Sequence, residues 1–225
     1  MIKNDNWVYI HVPKTAGTTT ELLFEKQYFL KVEDEQHTTV YDIEDKNDKF
    51  IFGFVRNPYT YEWSIWNYHK NSWGIFDEFD EWCAFRFDGK RDECYEKYEH
   101  MPVRQRSGSK EELDYGYTLF IRSQAGYFCD ENKKCAASKI YRFEQLRDSW
   151  DDIQNRINMD IKMNVYDREY KDDYKREYTD YSYDLITKHR AKDIELFGYN
   201  FDGFEGDIPL DYSVDYVGKN YAYTR

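Results

Sequence analysis

The sequence predicts an α/β fold, a single domain over 1–225 with a central, mainly parallel sheet flanked by helices. Two uncharged aromatic and β-branched runs, Trp7–Val12 and Phe50–Val55, have the look of strands buried on both faces of such a sheet. Each run ends in a short turn and then gives way to helix-compatible spacing, the order of a βαβ unit. The length of 225 residues suits one domain and would crowd two.

The first unit runs through Pro13 and the small residues Thr15, Ala16, Gly17, Thr18 and Thr19 into Glu21–Lys26. The second stops at Arg56-Asn57-Pro58, and a helix is expected from Tyr59 to Lys70. Further on, Lys139–Phe143 reads as a strand and Ser149–Ile157 as a helix. One long helix is expected over Asp184–Phe197, stopped by Gly198. Leu119–Ile121 reads as a helical segment, and the stretch around Gly108 as a surface loop. No repeat of fixed period is present.

Aromatic residues make up 20% of the chain, and they offset a low content of aliphatic side chains by the large area each can bury. Thirty-two Lys and Arg face 44 Asp and Glu, a net charge of −12 that opposes general binding to nucleic acid or to an anionic membrane. The amino-terminal residues lack the apolar stretch of a signal peptide, and no run is long enough to span a bilayer. A soluble cytoplasmic protein with no membrane or nucleic-acid partner is expected. Cys83, Cys94, Cys129 and Cys135 form no CxxC pair and no metal is expected; Cys129 and Cys135 flank a turn that would allow a hairpin disulfide, although reduced thiols are the plainer reading.

In open parallel sheets ligands bind beyond the carboxyl ends of the strands, so the two strand exits point to one crevice. Lys14, Thr15, Ala16, Gly17, Thr18 and Thr19 can hold an anion: small residues let backbone amides approach, hydroxyls donate, the helix offers its positive end and Lys14 adds a point charge. A plain strand-to-helix turn with a Thr cap fits the same composition. Arg56 tips the balance, because a cation at the end of a buried strand needs an ion pair or an anion. Ser64 follows two helical turns later, so two phosphates on one nucleotide could be held, one at each exit. The Walker A pattern is missing its first glycine.

With these residues the chain resembles the sulfotransferases that use 3'-phosphoadenosine 5'-phosphosulfate (PAPS), in particular the carbohydrate 2-O-sulfotransferase-like branch. Ile10-His11-Val12-Pro13-Lys14-Thr15-Ala16-Gly17-Thr18-Thr19 is similar to that family's P-loop-like 5'-phosphosulfate loop, and Phe54–Tyr59 with Ser64 and Tyr68 to its 3'-phosphate box. Ile140–Leu146 and Asp193–Phe201 match later family stretches in the right order. Tyr61 stands where members commonly carry a second Arg, and Asn164–Arg168 replaces a loop that often covers the nucleotide.

The resemblance implies sulfuryl transfer from PAPS to an acceptor hydroxyl without a metal, the acceptor being a carbohydrate or a small molecule. It implies that Lys14 stabilises the leaving oxygen and that His37 is the general base, with Glu33 and Glu35 as alternatives. An imidazole also titrates in the useful range. His11 is read as a hydrogen-bonded core histidine, Arg142 with Glu144 as a buried ion pair, and Arg104, Arg106 and Lys110 as a patch that could line an acceptor groove. The animal relatives are anchored in the Golgi, and this chain, without an anchor, has a microbial or viral style. A nucleotide or small-molecule kinase, and a nucleotide-binding protein without catalysis, are the competing readings.

Overall fold

Every residue of Trp7–Ile10 is buried, as is all of Phe50–Val55 beyond its first residue, and sequences of this kind have to be covered on both faces. In the computed structural model, which describes residues 1–28, 37–73, 76–93, 96, 122–163 and 172–215, they form the middle of a four-stranded sheet. Its strands are β1 (Ile2–Lys3), β2 (Trp7–Ile10), β3 (Phe50–Val55) and β4 (Lys139–Arg142), in that spatial order. β2, β3 and β4 are parallel, with Tyr9 opposite Phe52 and Phe54 opposite Tyr141, and β1 is an antiparallel edge. The mainly parallel sheet expected from the sequence is present, and the two-residue edge strand is an addition.

Among the described residues, the sheet is accompanied by α1 (Gly17–Tyr28), α2 (Pro58–Trp73), α3 (Phe79–Phe87), α4 (Leu146–Ile157), α5 (Asp180–His189) and α6 (Ala191–Leu196). Strand alternation sends Trp7, Tyr9, Phe52, Phe54 and Tyr141 to one face, against Phe24 of α1 and Trp150 and Ile153 of α4. Val8, Ile10, Ile51, Val55 and Ile140 go to the other, against Phe128 and Phe197. A third cluster joins α2, α3 and α5 through Trp66, Phe79, Trp82 and Ile186. Rings dominate all three; Trp7 and Phe24, for example, lie 5.0 Å apart between centroids.

The single helix expected over 184–197 is two helices. Arg190 leaves helical geometry with φ −107° and ψ 11°, and its guanidinium turns into the core to grip Glu62 at 2.8 and 2.5 Å. Arg86 reaches the same carboxylate oxygen at 3.1 Å. Burial pushes the Glu62 carboxyl upward, but the two guanidiniums outweigh it and hold the group below its usual range. Breaking such a buried group costs about 3–5 kcal/mol, which is more than one interrupted helical bond. Gly198, at φ 64°, stops α6 as expected.

Arg142 and Glu144 do not form the expected ion pair. Arg142 donates to the Phe197 carbonyl at 2.8 Å and packs over the Phe204 ring, while Glu144 accepts from the Asn57 amide at 2.8 Å and from the Tyr199 hydroxyl at 3.0 Å. β4 ends at Arg142 and Glu144 lies in the single helical turn Phe143–Gln145 that follows, so the change of backbone geometry sends the two side chains apart. Cys83, Cys129 and Cys135 are free thiols, the last two facing each other across an isolated antiparallel bridge. Leu119–Ile121, Gly108 and Cys94 lie outside the described residues. Among those described, no helix is long and apolar enough to cross a membrane.

Gly53 lies in the middle of β3, where a Cβ would come within 2.6 Å of the Ile10 carbonyl and 2.8 Å of the Phe128 ring. Gly53→Ala should therefore destabilise the fold by about 1–3 kcal/mol through overpacking, read as a lower urea midpoint with an unchanged slope.

Candidate functional site

Because β2 and β3 are parallel neighbours, their carboxyl ends emerge side by side. Residues 11–16 leave β2 and enter α1; Arg56 and Asn57 leave β3 and enter α2. Lys14 (φ 60°) and Ala16 (φ 64°) both occupy the left-handed region, which a non-glycine residue adopts only at a cost of order 1 kcal/mol. In turns of this kind successive backbone amides can converge into an anion-binding concavity.

The loop is held from three directions. The Thr15 hydroxyl is fully buried and donates to the Val12 carbonyl at 2.8 Å. Gly17 lies flat against the His11 imidazole, so close that a Cβ would fall 1.7 Å from the ring. Arg56 donates through Nη1 to the Lys14 carbonyl at 2.9 Å and through Nε to Thr60 Oγ1 at 3.1 Å. It also lies over the Phe143 ring at 4.7 Å. Burial lowers the guanidinium to about 10, with Glu144 pulling the other way, so it stays charged at neutral pH.

The Arg56 backbone is fixed in turn by Gln124, whose side-chain amide accepts from its N–H and donates to its carbonyl, both at 2.8 Å. Asp193 of α6 caps that turn by accepting from the Gln124 and Ala125 amides at 2.9 and 3.1 Å. Asn57 donates through Nδ2 to the Asn200 carbonyl at 2.8 Å. No local pattern marks Gln124, because this contact spans 68 residues.

The expected site residues fall into two groups. Thr18 and Thr19 are exposed in the first turn of α1, Ala16 and Lys14 are part-exposed, and the Lys14 ammonium stands 4.6 Å from the centre of the Tyr68 ring. Ser64 is part-exposed on α2. Thr15, Gly17 and Arg56, by contrast, are buried and take part in building the loop. Thr20, third of the threonine run, is buried too.

His37 is brought to the loop. Its Nδ1 lies 3.2 Å from the His11 carbonyl, and the two imidazole rings meet edge to face at 4.6 Å. A carbonyl only accepts, so Nδ1 carries the hydrogen and Nε2 keeps its lone pair. Burial, then the neighbouring charge of His11, depresses the His37 imidazole to about 4. His11 itself is buried with Nδ1 2.9 Å from Glu21, the core histidine expected. Glu33, Glu35, Arg104, Arg106, Lys110 and Asn164–Arg168 lie outside the described residues. Among the described residues, no group of three or more His, Cys, Asp or Glu could hold a metal ion.

His69 on α2, whose Nδ1 donates to the Ile65 carbonyl at 2.8 Å, is also depressed to about 4, chiefly by burial. For both imidazoles the folded value lies below the ordinary 6.5, so the fold favours the neutral form. Their contribution is complete above about pH 6.5 and declines as pH falls toward 4. The urea midpoint should accordingly drop between pH 7 and 4.5, and His69→Phe should flatten that decline; an unchanged slope in the variant would assign the decline to other groups.

Compared with models of protein families, with curated proteins and with solved structures, the chain finds no match.

Proposed function

We propose that the protein is a sulfotransferase that takes a sulfuryl group from PAPS to an acceptor hydroxyl, with the β2 exit as its P-loop-like 5'-phosphosulfate loop. The observation that carries this reading is the bond from Arg56 to the Lys14 carbonyl, which joins the two strand exits into one crevice. Around that crevice stand a strained loop with a lysine, exposed threonine hydroxyls, two helix amino termini and an imidazole with a bare Nε2. The donor carries phosphate at both its 3' and 5' positions, and these groups match it in number and charge.

In this reaction the acceptor oxygen attacks sulfur, the bond from sulfur to the 5'-phosphate oxygen breaks, and the acceptor proton passes to His37 Nε2. Lys14 stabilises the charge that develops on the leaving oxygen. Thr18, Thr19 and the amides of Ala16 and Gly17 hold the 5'-phosphate, and Ser64 faces the 3'-phosphate. Thr15 and Arg56 act by keeping the loop in its binding shape, and Arg56 lends its charge to the crevice. At about 4 the imidazole is neutral at pH 7 and able to accept a proton, although it lies below the useful range expected from the sequence and is a weaker base than an ordinary histidine. The acceptor is a carbohydrate or small-molecule hydroxyl, since the acidity of the chain disfavours a polyanion.

Thermal unfolding with the product 3'-phosphoadenosine 5'-phosphate tests the donor site. At 100 times its dissociation constant a ligand adds about 2.7 kcal/mol, which corresponds to roughly 5 to 11 °C for a chain of this size. The shift should vanish in Lys14→Ala; a shift with ATP and Mg²⁺ alone would favour a kinase. His37→Ala should reduce turnover by about 10²- to 10⁴-fold while the thermal shift with the bisphosphate persists. Binding without turnover across a panel of acceptors would favour a nucleotide-binding protein without catalysis.

A further inference from the structure

His11 touches more of the crevice than any single contact requires. Its carbonyl receives the His37 Nδ1 hydrogen at 3.2 Å, and its ring meets the His37 ring at 4.6 Å with 65° between the planes. On its other side the same ring is the surface on which Gly17 opens α1; a Cβ there would lie 1.8 Å from Nε2. The ring cannot rotate away, because its Nδ1 is held at 2.9 Å by Glu21, one turn further along that helix.

Glu21 is buried, and the same oxygen also receives the Met1 amino group at 3.1 Å. Burial raises this carboxyl, but the hydrogen bond and charge of His11, with the amino group, outweigh it and keep the carboxyl below its usual range. A carboxylate only accepts, so the hydrogen of His11 is fixed on Nδ1. The arrangement is a carboxylate that orients one imidazole, which in turn sets a second.

We propose that His11, clamped by Glu21, is a positioning residue of the reaction: its ring fixes the plane in which His37 presents Nε2 and at the same time seats the first residue of the anion-binding helix. One side chain thereby ties the position of the base to that of the donor loop. The proposal rests on the reading of His37 as the base, but its structural half holds without it. Among the described residues, the titratable or charged groups that face the His37 ring are His11 from the β2 exit, Glu21 from α1 and the Met1 amino group beside β1.

The test compares the full chain with His11→Asn, which keeps a side-chain N–H for Glu21 and removes the ring. The first readout is the proton NMR titration of the His37 imidazole, which needs no activity. Removing the ring takes away burial and a neighbouring charge, and both changes raise the midpoint. In the wild type His37 should stay unprotonated down to roughly pH 5, and in His11→Asn its midpoint should rise by about one unit or more toward 6.5.

The second readout is turnover of PAPS, where kcat should fall about 10-fold or more with little change in the donor KM. A His37 midpoint that does not move in a folded His11→Asn chain overturns the proposal. So does a fall in kcat matched by an equal rise in donor KM. Should the variant fail to fold, the wild type decides: an Overhauser contact between the two rings supports the arrangement, and its absence overturns it. A chain that shows the titration shift and yet turns over no PAPS would sink the sulfotransferase reading alone.

Discussion

Arg56 is charged, almost completely buried and placed where β3 gives out, and most of the crevice follows from how that charge is accommodated. A guanidinium in such surroundings needs acceptors in its own plane, and it finds the Lys14 carbonyl, the Thr60 hydroxyl and the face of Phe143. The first of these belongs to the neighbouring strand exit. Satisfying the arginine therefore sets the distance between the two loops, and a loop with two left-handed residues in four gains an anchor from outside itself. A lysine would offer a point charge without the fork.

Behind this layer stands a second that has no contact with the crevice. Gln124 pairs with both backbone groups of Arg56 in the manner of an additional strand, and Asp193 fixes Gln124. Glu62, Arg86 and Arg190 perform a similar service for α2, α3 and the break between α5 and α6. The chain as a whole is strongly acidic, yet among the described residues the buried arginines Arg56, Arg86, Arg142 and Arg190 stand beside the buried carboxylates Glu21, Glu62 and Asp193.

Strands β2 and β3 were legible in the sequence because an uncharged run of four to six residues between turn signals has few other solutions. The stop at Gly198 was legible for an equally local reason, whereas α1 begins at Gly17, four residues before the Glu21–Lys26 run that reads as helix, because the threonines between them carry no helical pattern. Helix α3 was not: Phe79, Trp82, Cys83, Phe85 and Arg86 are all buried, so the segment carries no polar stripe to mark its period. The break at Arg190 was hidden because its cause is a carboxylate 128 residues away. Within the candidate site, Lys14, Thr18 and Thr19 could be named from type and order, and His37 from the family resemblance. Their division from Thr15 and Arg56, which face inward, depends on side-chain direction, and no spacing rule encodes it.

The flat contact between the His11 ring and Gly17 joins two positions six apart in the chain into one unit of inheritance. No side chain fits at 17 while an imidazole occupies 11, and a smaller residue at 11 alone would leave a void beneath the helix and take the imidazole donor from Glu21. Lineages that descend from this sequence can alter the pair only by concerted change, through intermediates that are less stable than either end. The contact therefore constrains change at the mouth of α1 in a way that the acidic, aromatic surface around it is not constrained.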